Sequence, residues 1–265
     1  MLRTNLNLLP YIGELVDEFD KLYKSLFRKA ENHITIINAL SSTGKGMTRL
    51  DLIAKTRMTN NGNLTTLLNE LEKCEFIRSY VPFGKDKKEK LYQLIDNFSL
   101  FHFHFMKSNG TYLKDYWQKM IGTNEYRVWT GYAFETVCLY HIDQIIEALG
   151  ISGSINKPCS WVYRPSKSII ENEEVADVAK TGAQIDLLID RSDKTISICE
   201  MKYADGEYII DKKYDQRVQD RLNTFKTVTK TSKSLQTVYI TPHGLYNNAY
   251  ARKVKKQITA EKLFG

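Results

Sequence analysis

Apolar and charged residues fall at helical spacing early in the chain: in Glu18-Phe-Asp-Lys-Leu-Tyr-Lys-Ser-Leu-Phe27, the side chains of Phe19, Leu22, Tyr23, Leu26 and Phe27 share one face. This predicts an amphipathic helix. A second apolar-periodic stretch runs from Glu31 to Leu40, followed by the turn Ser41-Ser-Thr-Gly-Lys-Gly46 and a helix starting at Thr48, with Asp51 at the capping-box position. A further helix begins near Asn61. Its Leu64, Leu67, Leu68 and Leu71 fall at i, i+3, i+4 and i+7, so this stripe turns to the core and Asn63, Thr65 and Thr66 face outward.

The period then changes. Phe76–Gly84 and Lys90–Ile95 read as strands joined by the charged turn Lys85-Asp-Lys-Lys-Glu89. Three short helices followed by a hairpin is the pattern of a winged helix-turn-helix. In that role Asn63, Thr65 and Thr66 would enter a major groove and Lys85, Lys87, Lys88 and Lys90 would touch phosphate. A spacer or protein-docking unit is the competing reading, because Asn63–Cys74 contains no arginine and only Lys73. Residues 97–123 are dense in aromatics and read as a hinge; His102 and His104 in Phe101-His-Phe-His-Phe105 lack a third ligand nearby and read as packing residues. The expected division is a helical lead-in at 1–27, the winged module at 28–96, the hinge at 97–123 and an α/β domain at 124–265.

That last domain carries the candidate chemistry. From Asn124 to Leu149 the chain reads as one long helix, in which Val128, Gly131, Tyr132, Cys138, Leu139, Ile142 and Ile146 lie within about 60 degrees of Glu135 at the 3.6-residue period. A carboxylate in an apolar stripe calls for a cation, a partner or an aqueous cleft. Further on, Gln184-Ile-Asp-Leu-Leu-Ile-Asp190 and Thr195-Ile-Ser-Ile-Cys-Glu-Met-Lys-Tyr203 read as two strands. A three-residue loop centred on Asp193 sets Asp186 directly opposite Glu200, with Cβ atoms roughly 4.5–5.5 Å apart. Like charges there repel unless a divalent cation lies between them. Lys202, two residues beyond Glu200, points to the same face. The bland alternative is an ordinary cross-strand salt bridge between Asp186 and Lys202.

Asp186 followed by Glu200-x-Lys202 resembles the PD-(D/E)xK nuclease superfamily, the restriction-endonuclease-like fold. The resemblance implies Asp186 and Glu200 as ligands of Mg²⁺ or Mn²⁺, Glu135 as the accompanying helix acid, and Lys202 as the group that positions or activates the attacking water. Hard oxygen ligands and a fixed cation suit in-line phosphodiester hydrolysis. After the motif, Lys212, Lys213, Arg217, Arg221, Lys226, Lys230 and Lys233 stand against only Asp215 and Asp220, a basic stripe suited to a polyanion. Lys212, Lys213, Arg217 and Arg221 are the nucleic-acid contacts expected from it. Tyr214 and Gln216 lie where some helicase-associated nucleases carry a Gln-x-x-x-Tyr motif, but that spacing is absent, so Gln216 is not assigned a catalytic role.

The formal charge of +7 over 265 residues agrees with a polyanion partner without requiring one. Cys74, Cys138, Cys159 and Cys199 are too scattered for a zinc site, and no disulfide is expected. No apolar run is long enough to cross a bilayer and the first ten residues do not form a secretory signal, so a cytoplasmic protein without a membrane partner is expected. The winged module, the hinge, Trp129-Thr-Gly-Tyr-Ala-Phe-Glu135, Gly182–Asp190 and Cys199–Lys202 together resemble the C-terminal part of the archaeal-type P-loop ATPase family. The ATPase module is not represented: Ser42-Thr-Gly-Lys-Gly46 lacks the first glycine and the Ser or Thr after lysine that a Walker A loop needs, so no nucleotide is expected. The chain could be a piece of a larger protein, a stand-alone form, or one that borrows a motor from another subunit. The fold expected is thus α+β or α/β: a winged helix-turn-helix, then a restriction-endonuclease-like domain with a central mixed sheet. The function expected is Mg²⁺-dependent cleavage of DNA, with self-association or a separate P-loop ATPase as further partners. The alternative is a catalytically inactive DNA-binding or regulatory protein, or an adaptor for such an ATPase.

Overall fold

The computed structural model describes residues 12–107, 119–154, 156–171, 174 and 177–264. The chain divides into two compact units: residues up to Ser79 with Lys90–Thr136, and Tyr80–Glu89 with Val137–Gly265.

The first unit holds α1 (Ile12–Leu26), α2 (Ala30–Ser41), β1 (Met47–Thr48), α3 (Arg49–Thr56), α4 (Gly62–Lys73), β2 (Ile77–Tyr80), β3 (Leu91–Leu94) and α5 (Asn97–Phe101), which runs into a π-helical turn at His102–Met106. Its three strands lie in the order β1-β3-β2, with β1 antiparallel to β3. Phe19, Tyr23 and Phe27 of the first amphipathic stretch are buried as expected, but Leu26 is half exposed. Thr48 and Asp51 close a capping box at the start of α3, and Asn61 caps α4 by accepting from the Leu64 amide at 3.2 Å. The stripe Leu64, Leu67, Leu68 and Leu71 is buried.

Gly46 leads the chain into β1 at φ +78, and a Cβ there would stand 2.6 Å from the Tyr92 carbonyl oxygen. Only glycine meets both conditions. In the aromatic stretch, His102 stacks on Phe19 at 3.8 Å between centroids and His104 on Trp129 at 5.5 Å, so both histidines are packing residues. Tyr112, Tyr116 and Trp117 of the expected hinge lie outside the described residues.

The single helix expected from Asn124 to Leu149 is two: α6 (Asn124–Tyr140) and α7 (Ile142–Leu149). They part at His141, whose backbone adopts φ −106, ψ 36 while its ring Nδ1 takes a place 2.8 Å from the Val137 carbonyl oxygen. A side chain that satisfies its own helix's carbonyl competes with the backbone ladder. The buried set also differs from the expected stripe. Cys138 and Leu139 of that stripe are buried, but Val128 is 64% exposed, and Trp129, Phe134 and Thr136, outside the stripe, are buried as well.

The second unit is built on a five-stranded sheet in sequential order, from β4 (Asn156–Tyr163) through β5 (Ala183–Arg191), β6 (Thr195–Met201) and β7 (Ser234–Thr241) to β8 (Lys256–Thr259). β4, β5 and β6 pair antiparallel; β6, β7 and β8 pair parallel, so the sheet is mixed. Two short helices, α8 (Lys167–Glu171) and α9 (Asp177–Lys180), precede β5, and α11 (Glu261–Phe264) follows β8. The parallel step from β6 to β7 requires a crossover, and α10 (Lys212–Thr229) makes it. Every residue of β6 is buried, which marks it as the central strand. Trp161, Ile185, Leu188, Ile196, Ile198 and Phe225 form the main cluster between sheet and α10. The segment 80–89, expected as the end of the first wing strand and the charged turn Lys85–Glu89, belongs to this second unit. The Phe83 amide donates to the Ser160 carbonyl at 2.8 Å and its ring lies 5.2 Å from that of Phe225. Among the described residues no helix is long and apolar enough to cross a membrane.

Candidate functional site

The β5–β6 hairpin sets the geometry. Its loop is Ser192–Lys194, with Lys194 at φ 61, the left-handed residue that closes a three-residue hairpin loop. The ladder above it pairs Asp190 with Ile196, Ile189 with Ser197, Leu188 with Ile198 and Leu187 with Cys199. The paired ladder ends at Leu187–Cys199; Asp186 and Glu200 lie one residue beyond it on their strands, where the pairing of β5 with β4 shifts register between Cys159 and Trp161. Strand alternation turns Ile196, Ile198 and Glu200 of β6, with Leu188 opposite Ile198, to one face, and Asp186 lies near enough to add to the field on Arg221.

That face is covered by α10. Tyr214, Val218, Arg221 and Phe225 follow one another at i, i+4, i+7 and i+11, and so line one stripe of the helix. Phe225 closes the apolar end of the stripe against Ile196 and Ile198. At the other end the stripe turns polar and meets Glu200, whose side chain is 2% exposed. The Tyr214 hydroxyl donates to Glu200 Oε2 at 2.5 Å, and Arg221 Nη1 donates to Oε1 in an ion pair. Both carboxylate oxygens therefore have partners. Asp186 is half-buried and accepts from Gln184 Nε2.

Lys202 lies one residue past the end of β6, where its amide donates to the Ile240 carbonyl at 2.9 Å. Its ammonium is 5.6 Å from the centroid of the Tyr214 ring, and the guanidinium of Arg217 is 5.3 Å from the same centroid. Tyr208 meets Tyr214 edge-on at 6.0 Å and tilts against Tyr239 at 6.4 Å. Burial, and then the charge of Glu200, pushes the Tyr208 hydroxyl up to about 12. The same two causes, in the same order, raise Tyr214 and Tyr239 further. Burial works against the charge of Arg221, yet Glu200, Tyr214 and Asp186 outweigh it and its affinity for the proton rises. These phenols are neutral donors and this guanidinium is a permanent cation at any ordinary pH. On the opposite face of β6, burial and then Glu200 push the Cys199 thiol up to about 12.

The structure thus gathers Asp186, Glu200 and Lys202 around Tyr214, Arg217 and Arg221. Glu135 belongs to the first unit, half-buried on α6, one turn from Tyr132, whose hydroxyl is pushed up to about 12 by burial and then by Glu135. Asn63, Thr65 and Thr66 are exposed on α4. Of the tip lysines, Lys85 is paired with Glu89 at 2.8 Å, and Lys87 and Lys88 are exposed on a 3₁₀ turn; Lys90 in the first unit stands 3.9 Å from Glu72. Lys212 and Lys213 are exposed in the first turn of α10.

Arg221 is the residue whose place the sequence reading missed. It is expected as one of the nucleic-acid contacts of the basic stripe, yet it falls between Val218 and Phe225 in the apolar register of α10. That is the same anomaly, a charge among core positions, that drew attention to Glu135.

Asp186 and Glu200 supply hard carboxylate oxygens of the type Mg²⁺ and Mn²⁺ prefer, on adjoining strands. Among the described residues no three His, Cys, Asp or Glu side chains form a metal-holding group. The donors fit a divalent ion in kind, with a guanidinium already beside one of them. No family model, curated protein or solved structure matches the chain.

Proposed function

We propose that this chain cleaves nucleic-acid phosphodiester bonds at a divalent-cation site formed by Asp186 and Glu200, and that its first unit is a winged helix-turn-helix that docks DNA or a partner. One observation carries the reading: two acids on adjoining strands, Asp186 on β5 and the buried Glu200 on β6, both act on Arg221, with Lys202 two residues beyond Glu200. The order α2, β1, α3, α4, β2, β3, with its sheet β1-β3-β2, supports the winged-helix assignment.

In this reading Asp186 and Glu200 would hold the ion. A bound Mg²⁺ or Mn²⁺ would supply Lewis-acid stabilisation of the charge that builds on the phosphodiester. Lys202 adds a fixed positive charge to the same centre, kept in place by the Tyr214 ring beneath its ammonium. Tyr214 orients Glu200 through its hydroxyl. Lys212, Lys213 and Arg217, exposed on the first two turns of the helix that carries Tyr214, would contact backbone phosphates.

The test is incubation of supercoiled plasmid with Mn²⁺ and the wild type, Asp186→Ala or Lys202→Ala. Nicking by wild type alone is expected, with DNA affinity unchanged within a few-fold and cleavage reduced by about 100-fold or more in the variants. Equal cleavage by all three removes the assignment. A second reading, a catalytically silent nucleic-acid-binding platform, is favoured by the engagement of both Glu200 oxygens; salt-dependent DNA binding without turnover would select it.

A further inference from the structure

We propose that Arg221 is a displaceable counter-ion that closes Glu200 to a divalent cation until a phosphate group draws the guanidinium away. The inference rests on the reading of Asp186 and Glu200 as a cation site, and adds to it a coupling between cation and substrate.

The argument begins with the unequal burial of the two partners. The Glu200 side chain is 2% exposed and sits on the central strand, whereas that of Arg221 is 24% exposed. Glu200 cannot leave. Arg221, on a long side chain with one edge in water, can swing out without moving the backbone. In the closed arrangement Arg221 satisfies Oε1 and Tyr214 satisfies Oε2, so the buried carboxylate has a charge partner and two donors. A divalent ion that approaches the same carboxylate must meet a positive charge within hydrogen-bond distance of it, and like charges at that range repel strongly where water is scarce. Asp186 adds to the field that holds Arg221, so the guanidinium is attracted by both of the acids the ion would use.

What releases it follows from its chemistry. Guanidinium binds phosphate oxygens in a bidentate fork and is weakly hydrated, so a phosphodiester is a competing acceptor of the right geometry. Arg217 and Lys202, both beside the Tyr214 ring, bring such an anion to the place where Arg221 can reach it. A phosphate contact made by Arg221 then frees Oε1 of Glu200, and an ion on Glu200 in turn frees Arg221 for phosphate. Cation and nucleic acid therefore strengthen each other's binding, by the same factor in both directions.

The experiment is a Mn²⁺ titration followed by the electron paramagnetic resonance signal of the free ion, on wild type, Arg221→Gln, Arg221→Lys and Asp186→Asn/Arg221→Gln, each checked for folding by circular dichroism. Arg221→Gln is expected to bind Mn²⁺ at least about 10-fold more tightly than wild type. Arg221→Lys, which keeps the charge, should stay near wild type, and the double variant should lose the gain. Equal affinity in wild type and Arg221→Gln overturns the counter-ion role while leaving the cation site standing. No binding in any folded variant removes the cation site itself, and the coupling with it. Should Arg221→Gln fail to fold, the wild type alone decides: its Mn²⁺ affinity, corrected for the ion bound by the nucleic acid itself, rises in the presence of a short oligothymidylate if the coupling exists and is unchanged if it does not.

Discussion

Glu200 is a charge that the fold cannot leave alone: at 2% exposure its carboxylate depends on Arg221 and Tyr214 for compensation. Breaking a buried pair by removing one partner costs far more than replacing both, because the survivor is stranded. Arg221→Ala is therefore expected to lose about 3 kcal/mol in urea unfolding, and adding Glu200→Gln to Arg221→Ala should recover most of it. A loss below about 1 kcal/mol, as for a surface pair, would mean that the ion pair is not a standing one. The thiols offer a second measurement at this scale. Cys138, Cys159 and Cys199 are buried and Cys74 is exposed, and the Cys199 thiol is pushed up to about 12. An aromatic disulfide reagent at pH 8 should therefore titrate one thiol in the native protein and all four in denaturant. Cys74→Ser should abolish the native reaction; a second native reactive thiol would place one of the buried cysteines at the surface.

Among the elements, the turn before β1 and the π-helical turn after α5 each make a measurable demand. At Gly46 a side chain would meet both the left-handed backbone and the Tyr92 carbonyl oxygen at 2.6 Å. Gly46→Ala should lower the stability of the first unit by on the order of 1–3 kcal/mol, whereas Gly62→Ala, where a Cβ meets nothing within 4 Å, should not. His102, in the π turn, is stacked on Phe19 with its Nδ1 buried and unpartnered. Burial lowers its pKa; Asp20 opposes and Lys107 assists. The unfolded chain then takes up a proton near the ordinary value of 6.5 while the folded one resists. The stabilisation is present above that pH and is lost as pH falls from 6.5 through the lower folded value. His102→Phe should flatten the dependence of unfolding free energy on pH in this window; an unchanged slope would assign it to another group. Both demands concern local backbone and packing, and local features are what the sequence made legible. The capping box at Thr48, the leucine stripe of α4 and the three-residue loop of the β5–β6 hairpin each depend on residues a few positions apart. The burial of Trp129 and Phe134 on α6 and the assignment of residues 80–89 to the second unit depend on partners distant in sequence, whereas the break at His141 rests on a local contact that periodicity does not reveal. Arg221 lies between these cases: its stripe position could be read, but its partner 21 residues earlier could not.

For the molecule as a whole, a charge of +7 is a reason to expect polyanion binding only if the cations converge. Two of the exposed cationic groups of the second unit lie on the turn of residues 80–89 and at the start of α10. Lys87 and Lys88 sit on the 3₁₀ turn of residues 80–89, beside the Lys85–Glu89 pair that neutralises part of the charge there. Lys212 and Lys213 open α10, the helix that two to nine residues later presents Tyr214, Arg217 and Arg221 to the acid pair. They also lie where the amides of the first helical turn attract anions. If phosphate binding serves the Asp186–Glu200 site, the α10 lysines carry it. Charge reversal of both, Lys212→Glu/Lys213→Glu, should weaken duplex binding and reduce the magnitude of the slope of log K against log salt by about 2, roughly one per lost phosphate contact. Reversal of Lys87 and Lys88 should leave the slope nearly unchanged. The two outcomes locate the bound strand: a larger effect at the 3₁₀ turn would carry the nucleic acid away from the acids and favour a docking role for the unit, while a larger effect at α10 draws phosphate to the helix from which Arg221 holds Glu200.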